Sequence, residues 1–201
     1  MTIEIIDLGL IDYQEALKKQ MHAVEDVLAG GQERVFFCSH PPVVTLGRAS
    51  EEKDLQGWQG KTMEVSRGGR ATYHGPGQVI VYPILDLSKR GSDLHRHMRI
   101  LELSVIHCLD HYGIEAEGDR KDATGVWVGD KKIASIGIAA KRWVSYHGLA
   151  FNLDHDPEAF KGISPCGFQQ SVMTSLEDLR GEKMAREELQ ALLEEELLDL
   201  L

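Results

Sequence analysis

Val126-Trp-Val-Gly-Asp-Lys-Lys-Ile-Ala-Ser-Ile-Gly-Ile-Ala-Ala-Lys-Arg-Trp-Val-Ser-Tyr-His-Gly-Leu-Ala-Phe-Asn152 reads as strand through most of its length, and it decides the fold class. Val126 to Val128 and Ile133 to Ala139 carry β-branched and small apolar residues, and Gly129-Asp130 between them suits a hairpin turn. Trp143 to Asn152 continues as strand. Alternation from Ile133 predicts Ile133, Ser135 and Gly137 on one face and Lys132, Ala134 and Ile136 on the other. Lys131 then points outward, while Lys132 keeps apolar company that disfavours an ammonium if that face is buried.

The same reading extends towards the N-terminus. Arg34 to Ser39 and Val43 to Leu46 form short strands separated by Pro41-Pro42, and Met63 to Ser66 and Gln78 to Leu85 are two more. Asp12 to Ala29 is an amphipathic helix, with Tyr13, Leu17, Met21, Val24 and Leu28 at helical spacing and Gly30-Gly31 as its stop. Asp93 to Tyr112 is a longer helix, apolar on more than one side and so well buried. Met184 to Leu201 is an acidic amphipathic helix at the end of the chain. Strands outnumber helices and their links are mostly short. The predicted class is therefore α+β, with mixed or antiparallel sheets packed against a few helices. The chain of 201 residues suits one domain spanning 1–201.

A formal charge of −10 argues against nucleic-acid binding, which needs a basic face to neutralise phosphates. Arg67, Arg70, Lys131, Lys132, Lys141 and Arg142 nevertheless crowd the middle of the chain, which allows a local basic face for an acidic protein partner. The N-terminus lacks a signal-peptide pattern, and no run approaches membrane-spanning length. Cys38, Cys108 and Cys166 include no Cys-x-x-Cys pair, as expected of a cytoplasmic protein without a disulfide framework.

Cys38, at the end of an apolar strand, and Cys108, inside a helix, read as buried small hydrophobes. Cys166 is different. It stands in Ser164-Pro-Cys-Gly167, with Pro165 fixing the backbone before it and Gly167 freeing the backbone after it, as suits a presented nucleophile. Lys132 is a candidate partner base, against the plainer reading of a solvated turn lysine. A Gly-rich segment, Arg67-Gly-Gly-Arg-Ala-Thr-Tyr-His-Gly-Pro-Gly-Gln78, matches no nucleotide signature and carries more polar side chains than a simple hairpin turn needs. His107 and His111 share a helix face, but the sequence places no third ligand beside them. His95-x-His97 and Asp154-His155-Asp156 meet the same objection, so no metal is expected.

These blocks together resemble one family. Arg67 to Gln78, Lys132-Ile-Ala-Ser-Ile-Gly-Ile138, His147-Gly-Leu-Ala-Phe-Asn152 and Pro165-Cys-Gly167 are similar to the lipoyl(octanoyl) transferases, in order and over much of the chain. The resemblance implies the biotin/lipoate protein ligase-like catalytic fold. It implies transfer of an octanoyl group from acyl carrier protein to the lysine amine of lipoyl domains, those of 2-oxoacid dehydrogenase E2 subunits and of glycine cleavage H protein. Cys166 would hold the acyl thioester and Lys132 would act as general base. Arg67, Gly68, Gly69, Arg70, Ala71, Thr72, Tyr73 and His74 would line the substrate site with Ser135, Ile136, Gly137, Gly148, Leu149 and Ala150. Arg70 stands where many members carry Gln.

In that mechanism a thioester donor removes any need for ATP or another cofactor. Backbone N–H groups of Ile136 to Ile138, or of Gly75, are candidate oxyanion donors. At about 0.8 kcal/mol per buried methylene, a change of two methylenes alters binding by about 1.5 kcal/mol, or roughly tenfold, so a closed acyl tunnel must also reject longer chains. The protein is expected to act as a monomer, bound to neither membrane nor nucleic acid. Two related activities compete: octanoyl amidotransfer between lipoyl-type domains, and ATP-dependent ligation of lipoate. A third rival is an inactive scaffold that only binds lipoyl domains.

Overall fold

The computed structural model describes residues 2–120, 123–167 and 169–201. The three predicted helices form close to their expected limits, as α1 (Tyr13–Leu28), α2 (Leu94–Asp110) and α4 (Arg186–Leu200), with a short α3 (Leu176–Arg180) before the last. Asp12 and Asp93 start α1 and α2 by accepting from the backbone N–H groups of Gln14 and Arg96, which would otherwise lack partners. Among the described residues the strands are β1 (Glu4–Leu10), β2 (Arg34–Ser39), β3 (Val43–Leu46), β4 (Lys61–Glu64), β5 (Thr72–His74), β6 (Gln78–Ile84), β7 (Glu117–Arg120), β8 (Ala123–Val128), β9 (Lys131–Lys141) and β10 (Val144–Asn152).

Seven of these form one sheet in the order β1-β2-β6-β10-β9-β8-β7, and three form a second, β4-β3-β5. β1 runs parallel to β2, β3 runs parallel to β4, and the remaining pairs are antiparallel. The class is α+β, as expected. The sequence reading did not anticipate β1, β5 or β7, and β4 lies two residues earlier than expected because its ladder begins with Val43 opposite Lys61.

Strand alternation divides the large sheet cleanly between two cores. Phe36, Cys38, Ile80, Tyr82 and Ala150 face α1 through its Ala16, Ala23, Val24 and Val27. Val35, Phe37, Val79, Val81, Ile136, Leu149 and Phe151 face the other way, onto Leu101, Val105 and Leu109 of α2 and Leu189, Leu193 and Leu197 of α4. Cys38 and Cys108 are buried in these layers, as the sequence indicated. The acidic helix α4 is tied to α2 by one carboxylate: Glu196 bonds His107 Nδ1 at 3.0 Å and His111 Nε2 at 2.9 Å. Among the described residues no group of three or more His, Cys, Asp or Glu is arranged to hold a metal ion. No described helix is long and apolar enough to cross a membrane.

Candidate active site

The hairpin β8–β9 forms with Gly129 at its turn, but its alternation breaks at the residue that matters. Val126 pairs with Ala134 and Trp127 pairs with Lys132, so β9 spends an extra residue, Ile133, against one step of β8. Such a bulge re-aims the side chains on either side of it. Ile133 goes into the α2–α4 core with Ala134 and Ile136. Lys132, facing the same way as Trp127, shares the opposite side with Ser135 and Gly137. The expectation of Lys132 beside Ala134 and Ile136 is thereby corrected.

Lys132 is fully buried. Its Nζ donates to the Thr124 carbonyl at 2.7 Å and lies 5.6 Å from the centre of the Trp127 ring. Gly125 has φ +139°, and a Cβ there would stand 2.3 Å from the Ala134 carbonyl oxygen and 2.6 Å from Lys132 Cε, so glycine is what makes room for the Lys132 side chain. Lys131 is exposed, and its Nζ reaches the Ser171 carbonyl.

A cavity of about 520 Å³ opens beside this lysine. It is lined by Arg67, Gly68, Gly69, Arg70, Thr72 and His74 from the Gly-rich segment, by Ser135, Ile136 and Gly137 from β9, and by Gly148, Leu149 and Ala150 from β10. Three separate sequence blocks thus meet at one hollow. Two members of the expected set turn elsewhere. Alternation along β5 sends Thr72 and His74 to the cavity, and Ala71 and Tyr73 to a small core with Val44, Phe160 and Ile163. The Tyr73 hydroxyl donates to Asp156 at 3.0 Å. Gly75 is not a free oxyanion donor either, because its N–H donates to Gln78 Oε1 at 3.2 Å.

Arg67 braces this wall from within. Nη1 donates to the carbonyls of Gly68 at 2.9 Å and Arg70 at 2.8 Å, and Nη2 donates to both oxygens of Thr45 at 2.8 Å. The Gly68 N–H then docks the segment on β9 through the Ile138 carbonyl at 3.0 Å. The Thr72 hydroxyl, buried beside the cavity, has no hydrogen-bond partner among the described residues.

The backbone of Cys166 lies in a short 3-10 turn, Pro165–Gly167, while its side chain falls outside the described part of the molecule. The segment around it is tied at both ends. Ser164 N–H donates to the Asp54 carbonyl at 2.8 Å, and Thr174 N–H donates to the carbonyl of Lys132 itself at 3.0 Å. Arg70 reaches across to the buried Asp54 carboxylate, donating through Nε at 3.1 Å and again through Nη2. A Cβ on Gly167, where φ is +85°, would come 2.9 Å from Arg70 Nη1. Burial would raise the Asp54 carboxyl pKa, but Arg70 and two backbone N–H groups more than offset this and hold it below the ordinary carboxylate value.

Behind the cavity sits a layer of aromatic and histidine rings absent from the sequence-derived set. His147, at φ +57°, takes its Nδ1 to the Tyr13 hydroxyl at 3.3 Å and its Nε2 to the Ser66 hydroxyl at 3.3 Å, and its N–H donates to Gln20 Oε1 at 2.8 Å. His40 must donate from Nδ1 to the Ile11 carbonyl at 2.7 Å, since a carbonyl only accepts. Its Nε2 is then left to accept from the Tyr82 hydroxyl at 2.9 Å. Burial pushes His40 down to about 4, and burial with the neighbouring Arg67 charge pushes His147 down to about 3. These histidines are therefore neutral near pH 7. His147 opens the block quoted at 147–152, so a signal existed for it. Asp54, in a stretch of mixed charge, gave none.

The lipoyl protein ligase A/B catalytic-domain model matches residues 12–198. The chain belongs to that family. An octanoyltransferase of Bdellovibrio bacteriovorus is 45% identical, with 97% of each chain covered, and one of Caldicellulosiruptor saccharolyticus is 43% identical over 92% of this chain and 82% of its own. The chain is thus an acyltransferase of the octanoyltransferase branch. Solved structures of a bipartite lipoate protein ligase from Thermoplasma acidophilum (16% identity, TM-score 0.68, covering 100% of this chain and 84% of that one) and of biotin protein ligase from Aquifex aeolicus (13%, 0.57, 99% and 68%) share its fold.

In this lipoyl ligase-family chain the central basic residues do not form one surface. Arg67 and Lys132 are buried, and Lys131 and Lys141 mark opposite ends of the 11-residue β9, where Lys141 is paired with Glu25.

Proposed function

We propose that the protein transfers an octanoyl group from acyl carrier protein to a lysine amine of lipoyl domains, through a thioester on Cys166, with Lys132 as the proton acceptor. The Cys166 thiolate attacks the thioester carbonyl, a new S–C bond forms as the carrier S–C bond breaks, and the leaving carrier sulfur takes a proton from the Lys132 ammonium, which leaves Lys132 neutral for the second step. The acceptor amine then attacks the acyl-cysteine, Lys132 takes up the amine proton, and the Cys166 thiolate is released. Arg67, Gly68, Gly69, Arg70, Thr72, His74 and the small residues of β9 and β10 hold the acyl chain. Acceptors are the lipoyl domains of 2-oxoacid dehydrogenase E2 subunits and glycine cleavage H protein, and the reaction runs in the cytoplasm without ATP.

The observation that carries this reading is Lys132, a fully buried lysine turned by a bulge to the face of β9 that bears Ser135 and Gly137, held by the carbonyl of cavity-lining Thr124, and tied through its own carbonyl to Thr174 in the segment that follows Cys166. Burying a lysine costs folding free energy that only pairing and hydrogen bonds offset, and a buried titratable group beside a cavity is a candidate for a functional role. The test is intact-protein mass spectrometry after mixing with octanoyl-acyl carrier protein in the absence of ATP. One octanoyl adduct is expected, absent from Cys166→Ser and cleared by a lipoyl domain. Transfer seen only with ATP and free fatty acid would replace this reading with a ligase.

A further inference from the structure

We propose that Tyr82 is the wall that sets acyl-chain length, an inference that rests on the octanoyl-transfer reading above. The cavity is lined by residues of four neighbouring strands of the large sheet, in the order β8, β9, β10, β6. On the α1 side β9 offers Ser135 and Gly137, and β10 offers Gly148 and Ala150. Gly137 pairs with Gly148 and Ser135 with Ala150, so the floor has almost no side-chain height. Beginning at Thr124 of β8, whose carbonyl holds Lys132 Nζ, three strand spacings span about 14 Å. At roughly 1.25 Å per bond, an extended eight-carbon acyl chain measures about 10 Å from its thioester sulfur to its terminal methyl and stops short of that span, whereas a ten-carbon chain of about 13 Å, with the radius of its methyl added, fills it.

The next strand ends the trough. Ala150 pairs with Ile80, and Tyr82 stands two residues further along the same face, lining the cavity at 3% exposure. Its hydroxyl donates to His40 Nε2 at 2.9 Å, and His40 is fixed in turn by the Ile11 carbonyl. The Tyr82 and His40 rings stack with centroids 6.0 Å apart, and Tyr13 meets His40 edge-on at 5.0 Å. A longer chain would have to displace a ring held by packing and by a chain of two hydrogen bonds, whereas an eight-carbon chain stops short of it.

The experiment compares kcat/KM for hexanoyl-, octanoyl- and decanoyl-acyl carrier protein across variants. Tyr82→Leu should raise the decanoyl-to-octanoyl ratio about tenfold, the worth of two newly buried methylenes. Tyr82→Phe keeps the ring and should leave the ratio near that of the parent. Ala150→Val fills the trough before the wall and should shift preference towards hexanoyl. Parent-like ratios in a folded Tyr82→Leu protein would overturn the wall; if that variant does not fold, an unchanged octanoyl optimum in Ala150→Val overturns it. A parent protein that transfers no acyl group from the carrier overturns the proposed function and the wall together. Octanoyl transfer with unchanged ratios overturns the wall alone.

Discussion

Arg70 reaches out of the Gly-rich segment to donate twice to the buried carboxylate of Asp54, and the same guanidinium covers Gly167, the residue after Cys166. One ion pair therefore couples a cavity wall to the turn that carries the proposed nucleophile. Asp54 holds that turn a second time through its backbone carbonyl and Ser164 N–H.

Arg70→Ala should leave a buried carboxylate short of its main partner, at a cost of about 1–3 kcal/mol in stability, and should lower kcat more than it raises KM. Arg70→Lys should rescue little, because an ammonium cannot reproduce the guanidinium fork. Urea unfolding and steady-state kinetics check both. Full activity in Arg70→Ala would mean the turn is set without it.

Lys132→Ala should reduce transfer by about 10²–10⁴-fold, the usual worth of a positioned proton acceptor. Lys131→Ala, which alters an exposed side chain, should be mild. Single-turnover transfer to a lipoyl domain separates the two. Equal losses would mean that the wrong lysine carries the proposed role.

Gly125→Ala tests the space around Lys132. The added methyl meets the backbone oxygen of Ala134, which cannot swing aside, so an overpacking cost of about 1–3 kcal/mol is expected together with loss of transfer. Thermal unfolding beside the transfer assay reads both effects. Parent-like stability would show that β8 can shift to admit the methyl.

Stability should fall as acid is added well before the carboxylates titrate. His40, His97 and His147 are held at about 4, 4 and 3 in the folded protein, against an ordinary 6.5. From about pH 6.5 down to about pH 4 the unfolded chain binds protons that the folded one refuses, so each histidine removes up to about 1.4 kcal/mol per pH unit. His97 is buried with neither ring nitrogen hydrogen-bonded among the described residues. His97→Leu should therefore be neutral or stabilising at pH 7 and should flatten the dependence by one proton. Urea midpoints at several pH values measure this, and an unchanged slope would count against His97 as one of the groups.

Hydrophobic spacing by itself determined the helices, most of the strands and the α+β class, because burying one face of an element leaves a period that composition cannot hide. The Gly-rich block that lines the cavity stood out because it breaks that period, as does Pro165-Cys-Gly167. Short edge elements escaped it. β5 and β7 are too brief for a pattern, and β4 takes its limits from its partner strand. Which way Lys132 faces was decided only by the fold, because a bulge is a property of two paired strands and cannot be read from one. The Arg70–Asp54 tie and the Tyr82 wall have the same origin: each joins residues far apart in the chain, and only packing in three dimensions brings them together.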